Sequence, residues 1–461
     1  MIEEIYDVIV LGGGAGGVAA AIRASQLGGT VAIIESNELG GQCMNRGCIP
    51  FGQMMVASNI LRSLSLGKEL GLNVKGVTKD YPTLTKRQNE LIEFMRMGVR
   101  TTLKKNGIAI IEGSGKITGA GTVEVEGNKI SYKNIILATG AQWQKPTFPG
   151  SELDEVVTTE YLLTAGKLPQ KALLSGQSPW LAEIAQFLKR FDSKVILATP
   201  DKSIFSAESK AISSRLTKAF KEEGIELKTE AEIRGVTKKK DGLHVELISK
   251  GSKETAVVDN IITLERAAAL KRLGLGSIGL DENRDHLTVN DKMETGIKGV
   301  YAIGDLTGPP SHHYSHRASE MGIAAAENAM GGDSAINPKT TTRVLFTHPQ
   351  LASVGLTPRE AKAEGYEVIT GAAPLSMNPF GMIISENEGL VEVVAEKSYG
   401  EVLGVHIIGS AAAEMIGQAV VAIQMEATIE ALAKVSFPHP TLSESLAEAA
   451  RDALGRPIYL P

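Results

Sequence analysis

The stretch YDVIVLGGGAGGVAAAIRASQLGGTVAIIES, residues 6–36, decides the fold of this chain. Its first part, Tyr6–Leu11, is a short apolar run that predicts a buried parallel strand. The alanine-rich segment Val18–Gln26 predicts a helix, and Thr30–Ile34 predicts a second strand. A strand, a helix and a strand in this order form a βαβ unit, which predicts an α/β fold built on a parallel sheet.

The turn between the first strand and the helix carries a glycine pattern. Gly12, Gly14 and Gly17 have the spacing G-x-G-x-x-G, which allows a tight turn, a close approach to a pyrophosphate, and packing of the helix on the strand. The helix N-terminus adds a partial positive charge that favours phosphates. Glu35 ends the second strand, where an acid can accept a ribose hydroxyl. These features predict a dinucleotide site, because a plain glycine-rich turn would not explain Glu35.

Two later segments have the pattern of further strands in the same sheet. Asn134–Gly140 (NIILATG) is an apolar run that ends in small residues. Gly299–Asp305 (GVYAIGD) is another, and it ends in an acid. Both are expected to return to the sheet that begins at Tyr6.

The bulk composition is that of an ordinary globular protein. The chain has 461 residues, 43% of them hydrophobic and 22% charged, and this length suggests about three domains. The formal net charge of -5 argues against a nucleic-acid partner. The sequence shows no apolar run of the roughly 18 residues that a membrane span needs, and the acidic start MIEEIYD does not resemble a secretory signal. A cytoplasmic protein with no nucleic-acid and no membrane partner is expected.

The chain has only two cysteines, and both lie in GGQCMNRGCIP, residues 40–50, called here the redox loop. In a reducing cytoplasm, a lone pair such as Cys43 and Cys48 is more often catalytic, redox-sensing or metal-binding than a structural staple. Zinc would need more ligands, and the histidines His312, His313 and His316 have no carboxylate or thiol nearby to complete a set, so no metal site is predicted. Redox chemistry is the favoured interpretation, and two incidental buried thiols are the alternative.

Six motifs follow one another along the chain: the glycine turn, GGQCMNRGCIP, ATG, YAIGD, THPQLASVGLT and HPTLSE. In this order they resemble the FAD-containing pyridine nucleotide-disulfide oxidoreductases, most closely the dihydrolipoamide dehydrogenase branch. The resemblance implies an α/β fold with two Rossmann-like domains, for FAD and NAD(P), and a C-terminal α+β dimerisation domain. The implied ranges are 1–149 with 276–336 for FAD, 150–275 for the NAD(P)-like domain, and 337–461 for dimerisation. A homodimer follows from the last domain.

The same resemblance assigns roles to the cysteines. Cys43 and Cys48 would form a redox-active disulfide beside the flavin, with Cys43 as the interchange thiol that meets substrate and Cys48 as the charge-transfer thiol. His439 of HPTLSE would take a thiol proton, and Glu444 would orient its ring. Family members supply this histidine to the active site of the partner subunit. The implied substrate is a small dithiol or disulfide, or a lipoyl group carried on a protein.

FAD is the cofactor that the resemblance implies. Its expected contacts come from the glycine turn, the end of the second strand, the redox loop, the two later strand ends and the helix after them. These residues are Gly12, Gly14, Gly17, Glu35, Gly41, Gln42, Ala138, Thr139, Gly140, Gly304, Asp305, His316 and Ala318.

The nicotinamide segment departs from the family pattern. In KALLSGQSPWLAEIAQFLKRFDSKVILATP, residues 171–200, the strand-helix-strand rhythm persists, but the three glycine positions hold Gly176, Ser178 and Leu181. Side chains at the last two positions obstruct the pyrophosphate and the packing of helix on strand. Three more positions lack the family's residue, namely Pro179 for the aromatic gate, Thr199 for the ribose acid and Glu265 for a groove glycine.

A second departure lies beside the second cysteine. The family has Ile-Pro-Ser-Lys there, whereas this chain has Ile49-Pro50-Phe51-Gly52, so the lysine that would pair with Glu183 near the flavin is missing. Trp180 is expected to cover the flavin face on which nicotinamide would stack. The cofactor prediction is therefore FAD, with NAD(P) doubtful.

The predicted function is an FAD-dependent dithiol-disulfide oxidoreductase, dihydrolipoamide dehydrogenase-like, whose electron partner is not NAD(P)H. Two alternatives stay open. One is an ordinary NAD-dependent dihydrolipoyl dehydrogenase with a divergent site. The other is a redox-sensing or assembly flavoprotein without turnover.

Overall fold

The computed structural model describes residues 5–309 and 313–461 of the chain. The first part forms β1 (Ile5–Leu11), α1 (Ala15–Gln26), β2 (Val31–Glu35), α2 (Gly41–Arg46), α3 (Cys48–Glu69), α4 (Tyr81–Lys105), β3 (Ala109–Glu112), β4 (Gly115–Gly119), β5 (Thr122–Val125), β6 (Asn128–Leu137) and β7 (Ala141–Trp143). The second part forms β8 (Val156–Thr158), α5 (Tyr161–Thr164), β9 (Lys171–Ser175), α6 (Trp180–Arg190), β10 (Lys194–Ala198), α7 (Lys210–Glu222), β11 (Glu226–Lys228), β12 (Ala231–Lys239), β13 (Gly242–Ser249), β14 (Ser252–Val258), β15 (Asn260–Thr263) and β16 (Arg266–Ala268).

The chain then returns to its first part and ends in a third. The return forms β17 (Val300–Ala302) and α8 (Ser315–Ala329). The third part forms β18 (Arg343–Leu345), β19 (Gln350–Gly355), α9 (Pro358–Ala363), β20 (Val368–Pro374), α10 (Pro379–Ile383), β21 (Leu390–Glu396), β22 (Val402–Gly409), α11 (Ala412–Gln424), α12 (Ile429–Ala433) and α13 (Glu444–Ala453).

The first sheet confirms the βαβ unit and its two returning strands. Within the described residues its order is β3-β2-β1-β6-β5-β4, and β17 lies beside β6. β1 pairs in parallel with β2 and β6, and β6 pairs in parallel with β17. The carboxyl ends of these strands therefore meet at one edge, where an open parallel sheet binds its ligand.

Helices α1 and α8 cross at that edge because both carry glycine at the crossing. A Cβ on Gly16 would lie 2.6 Å from the carbonyl oxygen of Ala318, and a Cβ on Gly322 would lie 2.3 Å from the carbonyl oxygen of Gly16. Any larger side chain at either position would force the helices apart. The close crossing brings the first turn of α8 next to the glycine turn of β1 and α1.

The second sheet confirms a second Rossmann-like unit. Its described order is β11-β10-β9-β15-β8, and β9 pairs in parallel with β10 and β15. Strands β12, β13 and β14 form an antiparallel sheet against it, with a hairpin turn at Lys240 and Asp241. The short antiparallel pair of β7 and β16 joins this part to the first.

The third part is an antiparallel sheet covered by helices, as expected for an α+β domain. The described strands have the order β18-β19-β22-β21-β20. Alternating residues of β21 and β22 are fully buried, and they pack in one core with α11 and α13. The sheets thus follow the order of the three expected domains, whose boundary residues stay a prediction.

A buried carboxylate joins the second part to the third. Glu208, just before α7, accepts hydrogen bonds from Arg343 Nε at 2.8 Å and from Ser353 Oγ at 2.6 Å. Burial by itself would raise its pKa, but the neighbouring His406 ring and the Arg343 guanidinium lower the pKa of Glu208 to about 2. The carboxylate is therefore ionised at neutral pH and links the start of α7 to the sheet of the third part.

Candidate active site

A cleft of about 570 Å³ opens at the carboxyl edge of the first sheet. Its walls come from the glycine turn, the end of β2, the redox loop, the ends of β6 and β17, and the first turn of α8. All of the expected FAD residues except His316 line it, together with Cys43. Sequence segments that lie up to 300 residues apart thus form one site, as expected from the parallel pairing of β1, β6 and β17.

The glycine turn leaves space that side chains would fill. Gly12 has a φ of +114°, and a Cβ there would lie 2.3 Å from the carbonyl oxygen of Ala138. A Cβ on Gly17 would lie 1.9 Å from the carbonyl oxygen of Gly12, and one on Gly41 would lie 2.6 Å from the Gly14 Cα. Within the described residues, no side chain caps the first turn of α1, so its N–H groups face the cleft. This cradle fits the pyrophosphate of a dinucleotide such as FAD.

Glu35 is fixed at the end of β2 by backbone hydrogen bonds. Its Oε2 accepts the Gly13 N–H at 2.6 Å, and its Oε1 accepts the Asn37 N–H at 2.8 Å. Each carboxylate oxygen keeps a free lone pair. The carboxylate can therefore accept ribose hydroxyls at the position that the sequence predicted.

The opposite wall is formed by the ends of β6 and β17. Thr139 Oγ1 donates to the carbonyl oxygen of Ala269 at 3.2 Å, and Gly140 and Gly304 both have a φ of +68°. Asp305 Oδ2 lies 3.3 Å from Arg266 Nη1 and 3.7 Å from His313 Nδ1. The wall is thus polar and held by contacts from the segment 266–269.

Cys43 and Cys48 form a disulfide with their Cα atoms 4.7 Å apart. Cys43 lies in α2, and Cys48 is the first residue of α3. Buried Asn45, between them, donates from Nδ2 to the Leu39 carbonyl at 3.1 Å and to the Gly41 carbonyl at 2.9 Å, which fixes the loop. The Ser315 hydroxyl, at the start of α8, lies 3.5 Å from the Cys48 sulfur. This serine did not stand out in the sequence.

Glu160 connects the redox loop to the second part of the chain. Its Oε1 accepts the Trp143 Nε1–H at 2.6 Å and lies 3.4 Å from Arg46 Nε and 3.5 Å from Gln42 Nε2. Gln42 was expected at the cofactor, and it lines the cleft from this position. Glu160 and Trp143 belong to no sequence motif, so they could not be predicted as site residues.

The expected base and its carboxylate come together. His439 Nδ1 lies 3.0 Å from Glu444 Oε1, and Glu444 Oε2 accepts the Thr441 N–H at 3.0 Å. The His439 side chain is 66% exposed. Among the described residues of this chain, the imidazole contacts Glu444 and not the two sulfurs. Within one copy of the chain, the Cys43–Cys48 pair and the His439–Glu444 pair therefore lie apart.

The histidines near α8 lie away from the centre of the cleft. His316 Nε2 lies 3.1 Å from both the carbonyl and the hydroxyl oxygen of Thr342, so its ring faces the third part of the chain. His313 is buried, with Nε2 3.1 Å from the Gly308 carbonyl. His312 lies outside the described residues. Across the described ranges, no three His, Cys, Asp or Glu side chains gather as a metal site would require.

The groove of the second Rossmann unit is filled at the positions that depart from the family pattern. Leu181 is buried, and its Cδ1 lies 3.2 Å from where a Cβ on Gly176 would stand. Thr199 is buried at the end of β10 and accepts the Asp201 N–H at 3.3 Å. Glu265 is exposed on the segment before β16. A pyrophosphate would meet an aliphatic side chain and a negative charge here.

Both tryptophans of the chain lie against one arginine. The Arg266 guanidinium is 4.8 Å from the Trp180 ring centre and 5.7 Å from the Trp143 ring centre, within cation–π range. The Arg266 side chain is only 8% exposed, and it also pairs with Asp305. Trp180 meets Tyr314 edge-on, with ring centres 6.3 Å apart. We call Trp143, Arg266 and Trp180 the aromatic-arginine stack.

Glu183 is retained on α6 without a lysine partner. Its Oε1 accepts the Phe346 N–H at 2.9 Å, so the carboxyl caps the end of β18. Burial raises the pKa of Glu183 to about 7, and the hydrogen bond from Phe346 opposes that rise only in part. The helix of the second part is thereby joined to the sheet of the third part at a second point.

Comparison with known proteins settles the family. Residues 6–331 match the family model of the pyridine nucleotide-disulphide oxidoreductases, and residues 341–450 match the dimerisation domain of the same family. The chain belongs to this family. The resemblance inferred from the six motifs and the predicted fold class are confirmed. This pyridine nucleotide-disulphide oxidoreductase is a flavin-dependent enzyme, and its cofactor is FAD.

The curated relatives and solved structures agree along the whole chain. A dihydrolipoyl dehydrogenase of Thermus scotoductus is 36% identical over 462 residues, covering 99% of this chain and 99% of its own. One from Bacillus subtilis is 32% identical over 473 residues, covering 98% of this chain and 99% of its own. The crystal structure of LpdA from Mycobacterium tuberculosis has a TM-score of 0.87 at 24% identity, covering 96% of this chain and 98% of its own, and shares the fold.

A flavoprotein disulfide reductase, RclA of Escherichia coli, has the same fold. Its TM-score is 0.84 at 21% identity, with 97% of this oxidoreductase and 99% of RclA covered. Among the described helices of the oxidoreductase, none has an apolar stretch long enough to cross a membrane.

Proposed function

We propose that this oxidoreductase exchanges electrons with a dithiol of the dihydrolipoamide type through Cys43, Cys48 and FAD, and that its electron partner is not NAD(P)H. The substrate class is supported by the curated relatives, which carry the name dihydrolipoyl dehydrogenase over the full length. The exclusion of NAD(P)H is supported by the aromatic-arginine stack. The stack runs from Trp143, on the wall of the cleft, to Trp180, beside the altered phosphate turn. We further propose a homodimer located in the cytoplasm.

Cys43 would meet the substrate. A substrate thiolate attacks the Cys43 sulfur, so that a substrate–Cys43 bond forms, the Cys43–Cys48 bond breaks, and Cys48 leaves as a thiolate. The second substrate thiol then attacks the substrate sulfur of the mixed disulfide, so that a disulfide forms within the substrate, the substrate–Cys43 bond breaks, and Cys43 leaves and takes up a proton. The substrate leaves as a disulfide, and the cysteine pair holds its two electrons. Bound FAD supplies the two-electron centre that accepts them.

His439 of a second copy would take the proton of the attacking thiol. The 3.0 Å contact of His439 Nδ1 with Glu444 Oε1 keeps a proton on Nδ1 and leaves Nε2 as the acceptor. Because this imidazole is largely exposed and lies apart from the sulfurs of its own chain, a second copy can bring it to the disulfide. The matched dimerisation domain supports that arrangement.

Three features of the nucleotide groove oppose NAD(P)H. Arg266 connects Trp180, beside the phosphate turn of the second Rossmann unit, to Asp305 on the wall of the cofactor cleft. Leu181 and Ser178 occupy glycine positions of the phosphate turn. Glu265 adds a negative charge toward an anionic ligand. A nicotinamide nucleotide would have to displace a buried cation–π contact as well as bind without its phosphate turn.

Anaerobic mixing of the FAD-loaded enzyme with separate reductants tests the proposal. Dihydrolipoamide is expected to change the visible flavin spectrum, because it generates the Cys48 thiolate that faces the flavin, while NADH and NADPH at about 1 mM leave the spectrum of the oxidised enzyme unchanged. The matched control is the Cys43→Ser/Cys48→Ser double variant, which dihydrolipoamide should leave oxidised. Rapid bleaching by micromolar NADH would instead establish an ordinary NAD-dependent enzyme. If dihydrolipoamide also fails with the unchanged enzyme, a sensor or assembly role replaces turnover.

A further inference from the structure

The Cys48 sulfur lies at the starts of two helices. Cys48 is the first residue of the 22-residue helix α3, and Ser315 is the first residue of the 15-residue helix α8. The Ser315 hydroxyl is 3.5 Å from the Cys48 sulfur, within the range of a hydrogen bond to sulfur. In the disulfide this sulfur carries no proton, so the hydroxyl is the donor. In the described part of the chain, no side chain caps the first turn of either helix.

We propose that Ser315 is a positioning residue that donates a hydrogen bond to the Cys48 thiolate of the reduced enzyme and stabilises its anionic form. The inference rests on the proposed function, which makes Cys48 the thiolate that faces the flavin. It adds a residue that no motif of the chain assigned.

The hydrogen bond matters more in the reduced enzyme than in the oxidised one. The two electrons that the dithiol substrate supplies break the Cys43–Cys48 bond and leave two sulfurs, of which Cys43 takes up a proton and Cys48 stays charged. A disulfide sulfur is a weak acceptor, whereas a hydrogen bond to a charged acceptor is roughly twice as strong as a neutral one. The partial positive charge at the starts of α3 and α8 acts in the same direction. Ser315 therefore favours the reduced state with its charge on Cys48.

Other charged groups around Cys48 have partners of their own. They lie on the redox loop, on α4, on α6 and on α8, the elements that pack around the start of α3. These are Arg46 with Glu38 and Glu160, Arg96 with Asn45 and Glu38, Glu183 with the Phe346 N–H, His316 with Thr342, and Arg317 beside Asp305 and Glu320. The Ser315 hydroxyl is the side-chain donor that the structure places directly on the sulfur.

The two-cysteine composition allows a direct test. In the Cys43→Ser variant, Cys48 is the only thiol, so alkylation by iodoacetamide, followed by mass spectrometry in the FAD-loaded protein, reports its ionisation against pH. Adding Ser315→Ala is expected to raise the midpoint of that profile by about one pH unit, which makes alkylation about tenfold slower below the midpoint. Ser315→Thr keeps a hydroxyl and should restore the original midpoint.

Ser319→Ala is the matched control. Ser319 lies one turn further along α8, and its hydroxyl donates to the Ser315 carbonyl at 3.1 Å rather than to sulfur. Its removal should leave the midpoint unchanged. Identical midpoints with and without the Ser315 hydroxyl would overturn the inference. Because the readout needs no turnover, a shifted midpoint in an enzyme that dihydrolipoamide does not reduce would refute the proposed function and leave the role of Ser315 standing.

Discussion

The guanidinium of Arg266 lies 4.8 Å from the ring centre of Trp180, the first residue of α6 in the second Rossmann unit. Trp143 lies on the same arginine at 5.7 Å, and Asp305 anchors it by charge. Two indoles and a carboxylate thus surround a buried cation, and removing one of them would leave the guanidinium without part of the interactions that offset its loss of water. Under the proposed function, this contact would keep nicotinamide from the flavin while the second Rossmann unit stays folded.

The Trp180→Ala variant tests this contact separately from the altered phosphate turn. A small hydride donor such as 1-benzyl-1,4-dihydronicotinamide needs no pyrophosphate site, so only the cover over the flavin limits it. The variant is expected to be reduced by this donor at least about tenfold faster than the unchanged enzyme, measured anaerobically by flavin bleaching. Tyr399→Ala, which removes an exposed aromatic ring that does not line the cleft, is the control and should leave the rate unchanged. Equal rates for the unchanged enzyme and Trp180→Ala would show that Trp180 does not cover the flavin.

Glu208 is expected to stabilise the junction of α7 with the dimerisation sheet. Glu208→Gln breaks a buried pair with Arg343 and should cost about 3 kcal/mol at pH 7, seen as a lower urea midpoint. The pKa of Glu208 is lowered to about 2 from 4.5 in the folded state, so its contribution is complete above pH 4.5 and is lost as the pH falls toward 2. The difference in urea midpoint between the unchanged enzyme and Glu208→Gln should therefore become smaller as the pH falls toward 2. Glu430→Gln, at an exposed ion pair, is the control and should have little effect.

Glu183 is expected to make the enzyme less stable as the pH rises from about 4.5 to about 7. Burial raises its pKa from 4.5 to about 7 in the folded state, so the folded protein is favoured while the carboxyl is protonated, and stability is lost as the pH rises through 7. Glu183→Gln keeps an oxygen for the Phe346 N–H and removes the charge. Thermal unfolding between pH 5 and 8 should show a flatter profile for the variant. A variant that loses stability with pH as the parent does would contradict the assignment.

Much of the fold could be predicted because its signals are local. The glycine spacing from Gly12 to Gly17, the apolar strands and the helix-strand rhythm each reside in about 30 consecutive residues, and local patterns of this kind determine a βαβ unit. The pairing of Cys43 with Cys48 followed from the resemblance, and the structure contains that disulfide. The cofactor cleft was predictable for the same reason, since parallel strands bring their carboxyl ends together.

The long-range contacts proposed to limit access to the flavin and to stabilise the Cys48 thiolate could not be predicted from the sequence. Ser315 and Cys48 are 267 residues apart, and Trp143 and Arg266 come from different domains, so no periodicity connects them. The motif around His316 implies backbone contact with the cofactor, which stays a prediction, whereas the contact of its ring with Thr342 could not be predicted. Such contacts depend on how α8 packs beside the first sheet and how β16 pairs with β7, which a single sequence does not specify. The roles of the site residues and the domain boundaries stay predictions.

The Cys43 and Cys48 sulfurs of one copy are proposed to face the His439 imidazole of another copy. Mixed dimers test this arrangement most directly. Cys43→Ser and His439→Gln subunits, carrying different tags, are coexpressed, and the mixed dimer is isolated and assayed with dihydrolipoamide and an artificial acceptor. Each parent dimer is expected to lose at least about 100-fold in activity. The mixed dimer should recover roughly half of the unchanged rate, because one of its two sites combines an intact cysteine pair with an intact histidine. A mixed dimer as inactive as its parents would contradict the account.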